Sequence, residues 1–208
     1  MRVAFIGGGT GGHLTPAIGI AEKLIARGHQ VEFWLSGRQV ELNYLKDTIP
    51  HRSLGIDGSR LPRYLATLKS LPLVRSYCRA FNPDLLVSLG GYGGATALAS
   101  LPRPIVCLEG NVVVGKSVRL VSKFAKRVLV MFEKTATDVP RATVIGPVSR
   151  SATVQPSREQ ACQQFGFNPA QPVLLTMGGS QGAVSLNSVV IEMLPELKRL
   201  GWQLLCLC

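Results

Sequence analysis

The residues best suited to chemistry lie in the first turn of the chain, Gly7-Gly8-Gly9-Thr10-Gly11-Gly12-His13, directly after the apolar run Arg2–Ile6. With almost no side chains, such a loop lets backbone N–H groups close on an anion, and its one bulky polar residue is an imidazole able to accept a proton. The combination points to a phosphate-bearing substrate beside a proton acceptor. Two further loops repeat the order of strand, glycine turn and helix: Gly90-Gly91-Tyr92-Gly93-Gly94 after Asp84–Leu89, and Gly178-Gly179-Ser180-Gln181-Gly182 after Pro172–Met177. A strand-to-helix turn needs one or two glycines, so four in five residues at 90–94 suggest close approach of a ligand. The third loop lacks the lysine of a P-loop, which favours a nucleotide-sugar diphosphate over a hydrolysed triphosphate.

These loops need elements to hold them. Candidate strands are Arg2–Ile6, Val31–Leu35, Arg52–Ile56, Asp84–Leu89, Pro104–Leu108, Val128–Met131 and Thr143–Ile145, alternating with amphipathic stretches. That order predicts an α/β fold built on a Rossmann-like, doubly wound parallel sheet. The first helix is expected to start from an N-cap at Thr15, with Pro16 in its first position and Gly28 ending it. A second helix is expected over Tyr64–Phe81, kinked or divided at Pro72. After Gly146-Pro147-Val148 a polar stretch intervenes and the pattern restarts with helix Glu159–Phe165, strand Pro172–Met177, a helix from Ala183 and strand Trp202–Cys208. We expect an N-terminal Rossmann-like domain over 1–148 and the start of a second, incomplete one over 149–208.

Gly7, Gly9 and Gly12 also satisfy the dinucleotide spacing G-x-G-x-x-G, with Glu32 as the ribose-binding acid. Glu32 stands near the start of its strand instead of the far end, and a helix capped at Thr15 would leave His13 and Leu14 in the loop. A dinucleotide-dependent oxidoreductase is therefore the weakest of the enzymatic readings.

The formal charge of +11 is uneven: residues 1–150 hold 20 Lys and Arg against 9 Asp and Glu, and residues 151–208 hold 3 against 3. A basic first segment fits an anionic membrane surface or a polyphosphate ligand, while the absence of basic blocks interleaved with aromatics argues against nucleic acid. In 63–79 the apolar Leu65, Leu68, Leu71, Leu73 and Val74 alternate with Arg63, Lys69, Arg75 and Arg79, as in a helix resting on an anionic bilayer; a helix packed on the sheet has similar statistics. No apolar run reaches the roughly 20 residues of a spanning helix, and the first residues have no signal-peptide pattern, so cytoplasmic residence is the default expectation. Cys78, Cys107, Cys162, Cys206 and Cys208 form no CxxC pair or zinc spacing, which predicts free thiols and no metal.

The run Gly8-Gly9-Thr10-Gly11-Gly12-His13, then Gly90-Gly91-Tyr92, then Glu109 and Asn111 after a strand, then Gly178-Gly179-Ser180-Gln181-Gly182-Ala183, resembles glycosyltransferase family 28 in order and spacing across essentially the whole chain. That resemblance implies an inverting transferase of the GT-B fold. Such an enzyme moves N-acetylglucosamine from UDP-N-acetylglucosamine to undecaprenyl-pyrophosphoryl-MurNAc-pentapeptide in peptidoglycan synthesis, with no cofactor, at the cytoplasmic face of the plasma membrane. It implies His13 as general base on the acceptor hydroxyl, and Thr10, Gly11 and Gly12 on the donor sugar or acceptor diphosphate. Gly91, Tyr92 and Glu109 would bind substrate together with Asn111 at the cleft, Ser180 would touch the UDP phosphates, and Arg150, in the place of the Arg that closes the family's G-N-P-V-R segment, would bind substrate too. Two motifs depart: Leu108-Glu109-Gly110-Asn111 stands where the family has H-E-Q-N, and Gly146-Pro147-Val148-Ser149-Arg150 where it has G-N-P-V-R. The family's chains continue well beyond 208 residues, so the chain alone is expected to be inactive. The alternative is a non-catalytic, lipid-binding half whose UDP-binding domain is a separate chain.

Overall fold

Strand β1 (Arg2–Ile6) alternates its side chains between two apolar faces, and the rest of the first unit is built around it. Val3 and Phe5 join one core with Leu14, Ala17, Ile18 and Phe33, where Phe5 and Phe33 stack at 4.8 Å; Ala4 and Ile6 join the other with Val74, Cys78, Val118 and Val121. A strand apolar on both faces belongs to a parallel sheet covered by helices on each side. The computed structural model describes residues 1–9, 11–45, 49–148, 156–178 and 183–207. The chain divides into two compact units, Met1–Ser151 and Ala152–Cys208.

In the first unit the remaining strands are β2 (Gln30–Leu35), β3 (His51–Ser53), β4 (Leu85–Ser88), β5 (Ile105–Glu109), β6 (Arg127–Val130) and β7 (Ala142–Val144). All pair in parallel, in the order β3-β2-β1-β4-β5-β6-β7. Winding reverses between β1 and β4, and in open α/β sheets that reversal opens a crevice beyond the carboxyl ends of the two strands. The helices are α1 (Gly11–Ala26), α2 (Gln39–Leu45), α3 (Arg63–Phe81), α4 (Gly91–Ala95), continued by a 3-10 turn over Thr96–Ser100, α5 (Lys116–Ser122) and α6 (Glu133–Ala136).

The expected start of α1 is corrected. It begins at Gly11, four residues before Thr15, which places His13 and Leu14 inside it. Leu14, Ala17, Ile18 and Ala21 are fully buried at i, i+3, i+4 and i+7, so the apolar stripe begins one turn earlier than Ile18. Burial of Leu14 outweighs the low helix propensity of Gly11 and Gly12, about 1 kcal/mol each. Pro16 then lies within the helix and has no N–H to offer the Gly12 carbonyl. Likewise α3 runs undivided through Pro72. Its buried stripe is Ala66, Ser70, Val74 and Cys78, small residues that let it lie close, whereas Tyr64, Leu65, Leu68 and Leu73 are exposed. The third strand ends at Ser53, three residues short of the expected Ile56.

The second unit contains α7 (Arg158–Phe165), β8 (Val173–Met177), α8 (Val184–Arg199) and β9 (Gln203–Leu207), with β8 and β9 paired in parallel. Ser157 and Gln160 form a capping box at the start of α7, and Gly166 ends it in the left-handed conformation. Val190 and Leu197 are the buried residues of α8.

Candidate functional site

The first two glycine loops meet at the crevice between β1 and β4. Gly7, Gly8 and Gly9 have φ of +107°, +126° and +112°, open to glycine and costly for other residues. A Cβ on Gly7 would stand 2.6 Å from the Gly90 carbonyl oxygen and 2.7 Å from the Gly94 nitrogen, and one on Gly91 would collide with the Gly8 carbonyl. Gly93 approaches the Gly7 Cα at 3.0 Å by the same construction. Gly91 and Gly93 therefore serve backbone-on-backbone packing of the two loops, a steric demand that accounts for part of the glycine surplus at 90–94 without a ligand. Gly9 is different, because among the described residues nothing lies within 4 Å of its absent Cβ.

His13 sits in the first turn of α1, half-buried, with its ring over Gly90: Nε2 is 3.8 Å from where a Cβ of Gly90 would be. Gly11 and Gly12 open the same helix, whose first N–H groups have no partner within the helix and whose dipole favours an anion. Thr10, Arg150 and Ser180 lie outside the described residues.

Glu109 ends β5 and is 1% exposed. Its Oε1 accepts from the backbone N–H and from Nδ2 of Asn111, both at 2.9 Å, and its Oε2 accepts from the Gly115 N–H at 2.9 Å. The carboxylate is spent on folding the loop from Gly110 to Gly115, so Glu109 acts on the site by placing Asn111. Asn111 is exposed, and with Nδ2 bound to Glu109 it presents its amide oxygen as an acceptor.

His13 and Asn111 both line a groove of about 820 Å³ on the surface of this unit. One wall is α3, with Tyr64, Leu68, Leu71 and Arg75; the floor is Gly91, Tyr92 and Ala95 of α4 with Leu98 and Ala99; the other wall is Lys116, Ser117 and Leu120 of α5. It is an apolar groove with a cation on each wall and an imidazole and a carboxamide in its lining. Gly91 and Tyr92 line it, and so do Leu98, Ala99, Lys116 and Leu120, which carry no motif and are brought there by the fold.

Several charged groups turn out to be structural. Glu32, 4% exposed, pairs with Arg52 and accepts from Trp34 Nε1 at 3.1 Å, so it is occupied and does not present itself to a ribose. Glu41, fully buried, accepts from Ser36 Oγ at 2.8 Å and from the N–H groups of Gly37 and Arg38 at 2.9 and 3.0 Å. Its acidic position in the first turn of α2 was the sequence signal for that role. Among the described residues, no group of three or more His, Cys, Asp and Glu could hold a metal ion, and no helix is long and apolar enough to cross a membrane.

Fold and site together define a doubly wound α/β domain with a ligand crevice at the switch of its sheet. The model of the glycosyltransferase family 28 N-terminal domain matches residues 3–130, and the chain belongs to that family. Among curated relatives, the UDP-N-acetylglucosamine–N-acetylmuramyl-(pentapeptide) pyrophosphoryl-undecaprenol N-acetylglucosamine transferase of Lactiplantibacillus plantarum is 31% identical over 220 residues, 99% of this chain and 61% of the relative. The protein of the same name from Moorella thermoacetica is 33% identical, covering 95% of this chain and 57% of the relative. This chain thus spans about 60% of the length of the relatives it matches. Of solved structures, Acinetobacter baumannii MurG superposes with a TM-score of 0.72 at 23% identity, covering 99% of this chain and 65% of that one. The Anabaena HepE protein in complex with UDP gives 0.67 at 16%, over 99% and 69%. These likenesses establish the fold, the N-terminal domain of the GT-B type.

Proposed function

We propose that these residues form the acceptor side of an inverting N-acetylglucosaminyltransferase of peptidoglycan synthesis, acting on UDP-N-acetylglucosamine and undecaprenyl-pyrophosphoryl-MurNAc-pentapeptide. The observation that carries the reading is that His13, in the first turn of α1, lines an apolar groove. A polyprenyl diphosphate has matching parts: an apolar chain for the groove, a diphosphate for the N–H groups of Gly11 and Gly12 at the start of α1, which have no partner within the helix, and a sugar hydroxyl for the imidazole. In the transfer the acceptor oxygen bonds to the anomeric carbon as the bond from that carbon to the UDP oxygen breaks. His13 takes the hydroxyl proton, and UDP leaves with the bonding pair. Asn111, set by Glu109, offers an acceptor to the sugar.

The exposed Tyr64, Leu65, Leu68 and Leu73 of α3, beside Lys69 and Arg75, support peripheral attachment to an anionic membrane surface at its cytoplasmic face. Because the relatives named for this reaction are longer, transfer is expected of these residues together with a further UDP-binding polypeptide, in the same chain or a separate one. Thr10, Ser180 and Arg150 are proposed for the sugar and diphosphate. The second reading, a non-catalytic lipid-binding half, shares the groove and drops the imidazole.

His13→Ala distinguishes them. With the UDP-binding polypeptide supplied, transfer of radiolabelled N-acetylglucosamine to the lipid acceptor is expected to fall about 10²–10⁴-fold in kcat with little change in donor KM. Near-normal turnover removes His13 from the mechanism, and absence of transfer by the unsubstituted protein under those conditions favours the non-catalytic half.

A further inference from the structure

The Gly9 carbonyl is held by a side chain from another part of the sheet. Arg38, in the turn after β2, donates from Nη1 to the Gly9 carbonyl at 2.7 Å and from Nε to Asp57 Oδ2 at 2.9 Å. The other oxygen of Asp57 lies 3.5 Å from Nε of Arg63, the first residue of α3. Arg38 is itself anchored, since its backbone N–H donates to the buried Glu41. Burial opposes ionisation of Asp57, but the hydrogen bond from Arg38 and the charges of Arg38 and Arg63 outweigh it and hold the carboxyl below its ordinary value. The carboxylate therefore keeps its charge at neutral pH, and the guanidinium keeps its partner.

A loop that receives an anion must turn N–H groups toward it and keep carbonyl oxygens away, because an oxygen aimed into the site repels negative charge. At Gly9 packing by the described residues does not meet that condition, since φ is +112° and none of them lies within 4 Å of the absent Cβ. Arg38 supplies the missing constraint. We infer that Arg38 and Asp57 are positioning residues that hold the Gly7–Gly9 loop in its anion-receiving form and tie it to the first residue of α3. The inference rests on the diphosphate reading above and names the side chains that make it work. One carboxylate anchors both the glycine loop and the helix that walls the groove.

Asp57→Asn separates positioning from charge by the sign of its effect. Loss of a negative charge beside an anion site tightens binding if charge alone matters, whereas loss of the Arg38 anchor weakens it. The probe is inorganic diphosphate, titrated into the 208-residue chain and followed by amide chemical shifts, with 15N relaxation recorded on the same samples. The unsubstituted protein is expected to shift at Gly8, Gly9, Gly11 and Gly12. Kd should rise about tenfold in D57N and in Arg38→Met, about 1.4 kcal/mol, with partial recovery in Arg38→Lys, which keeps the charge without the planar fork. Order parameters at Gly8 and Gly9 should fall from about 0.85 to below about 0.6 in D57N and R38M. Binding by D57N as tight as or tighter than the unsubstituted protein overturns the inference. If the unsubstituted protein shows no shifts at these amides, the diphosphate reading falls instead. Unchanged order parameters in D57N and R38M then overturn the positioning role by themselves, and should D57N not fold, R38M and R38K decide on both measurements.

Discussion

Replacing Gly7 by alanine tests the claim that the two glycine loops are packed backbone against backbone. At φ +107° a side chain costs about 1–3 kcal/mol in backbone strain. The added Cβ would also meet Gly90 O at 2.6 Å, Gly94 N at 2.7 Å and Gly94 Cα at 2.8 Å. These are main-chain atoms that no rotamer change can move aside, so an overpacking cost of about 1–3 kcal/mol adds to the strain. The middle of the combined range is about 4 kcal/mol, and at about 2–4 °C per kcal/mol for a domain of this size Tm should fall by about 8–16 °C. Gly55→Ala is the control: it also has positive φ, at +64°, but nothing lies within 4 Å of its Cβ position. It bears the left-handed backbone cost alone, about 1–2 kcal/mol, and should lose about 2–8 °C. Thermal unfolding by far-UV circular dichroism reads both. A Gly7→Ala protein no less stable than Gly55→Ala would refute the reasoning, whatever ligand the loops bind.

Glu109→Gln puts an amide NH₂ against at least one of the N–H donors of Asn111 and Gly115, and should lower stability by about 2–4 kcal/mol in urea unfolding; a midpoint equal to that of the unsubstituted protein removes Glu109 from loop placement. Leu68, 59% exposed on α3, should tolerate serine within about 0.5 kcal/mol, yet Leu65→Ser/Leu68→Ser should lose flotation with anionic vesicles; equal flotation assigns these leucines no membrane role. The Cys107 thiol is pushed up to about 12 by burial and by the Glu109 charge, and Cys78 is raised by burial against an opposing Arg103. Neither should react with iodoacetamide at pH 8 until the protein is unfolded, as peptide mass spectrometry would show; rapid native labelling contradicts their burial.

Much of the fold is legible along the chain because its signals are local. Strands β1, β4, β5 and β6 are short apolar runs bounded by Gly, Pro or charged residues, and runs apolar on both faces specify a parallel sheet; β3, His51-Arg52-Ser53, has no such signal and is held by its pairing with β2. The boundaries that failed involve glycine and proline, whose propensities are intrinsic while their placement is tertiary. Gly11 and Gly12 read as loop because glycine disfavours helix, and burial of Leu14 against β1 and β2 overrides that preference. Pro72 reads as a break, yet α3 continues through it because Val74 and Cys78 beyond it are buried on the same sheet face as Ala66.

By itself the sequence determined the parallel α/β class, the order of the glycine turns and the chemistry available in them, for these depend on residue types and on periods of 2 and 3.6. The position of His13 in the first turn of a helix, over Gly90, was decided only by the fold, as was the groove whose walls come from α3 and α5, separated in sequence by β4, α4 and β5. The same holds for Glu109, Glu41 and Arg38. A carboxylate or guanidinium looks alike in sequence whether it binds substrate or backbone, and the difference lies in which N–H or C=O groups the folded chain brings within 3 Å of it.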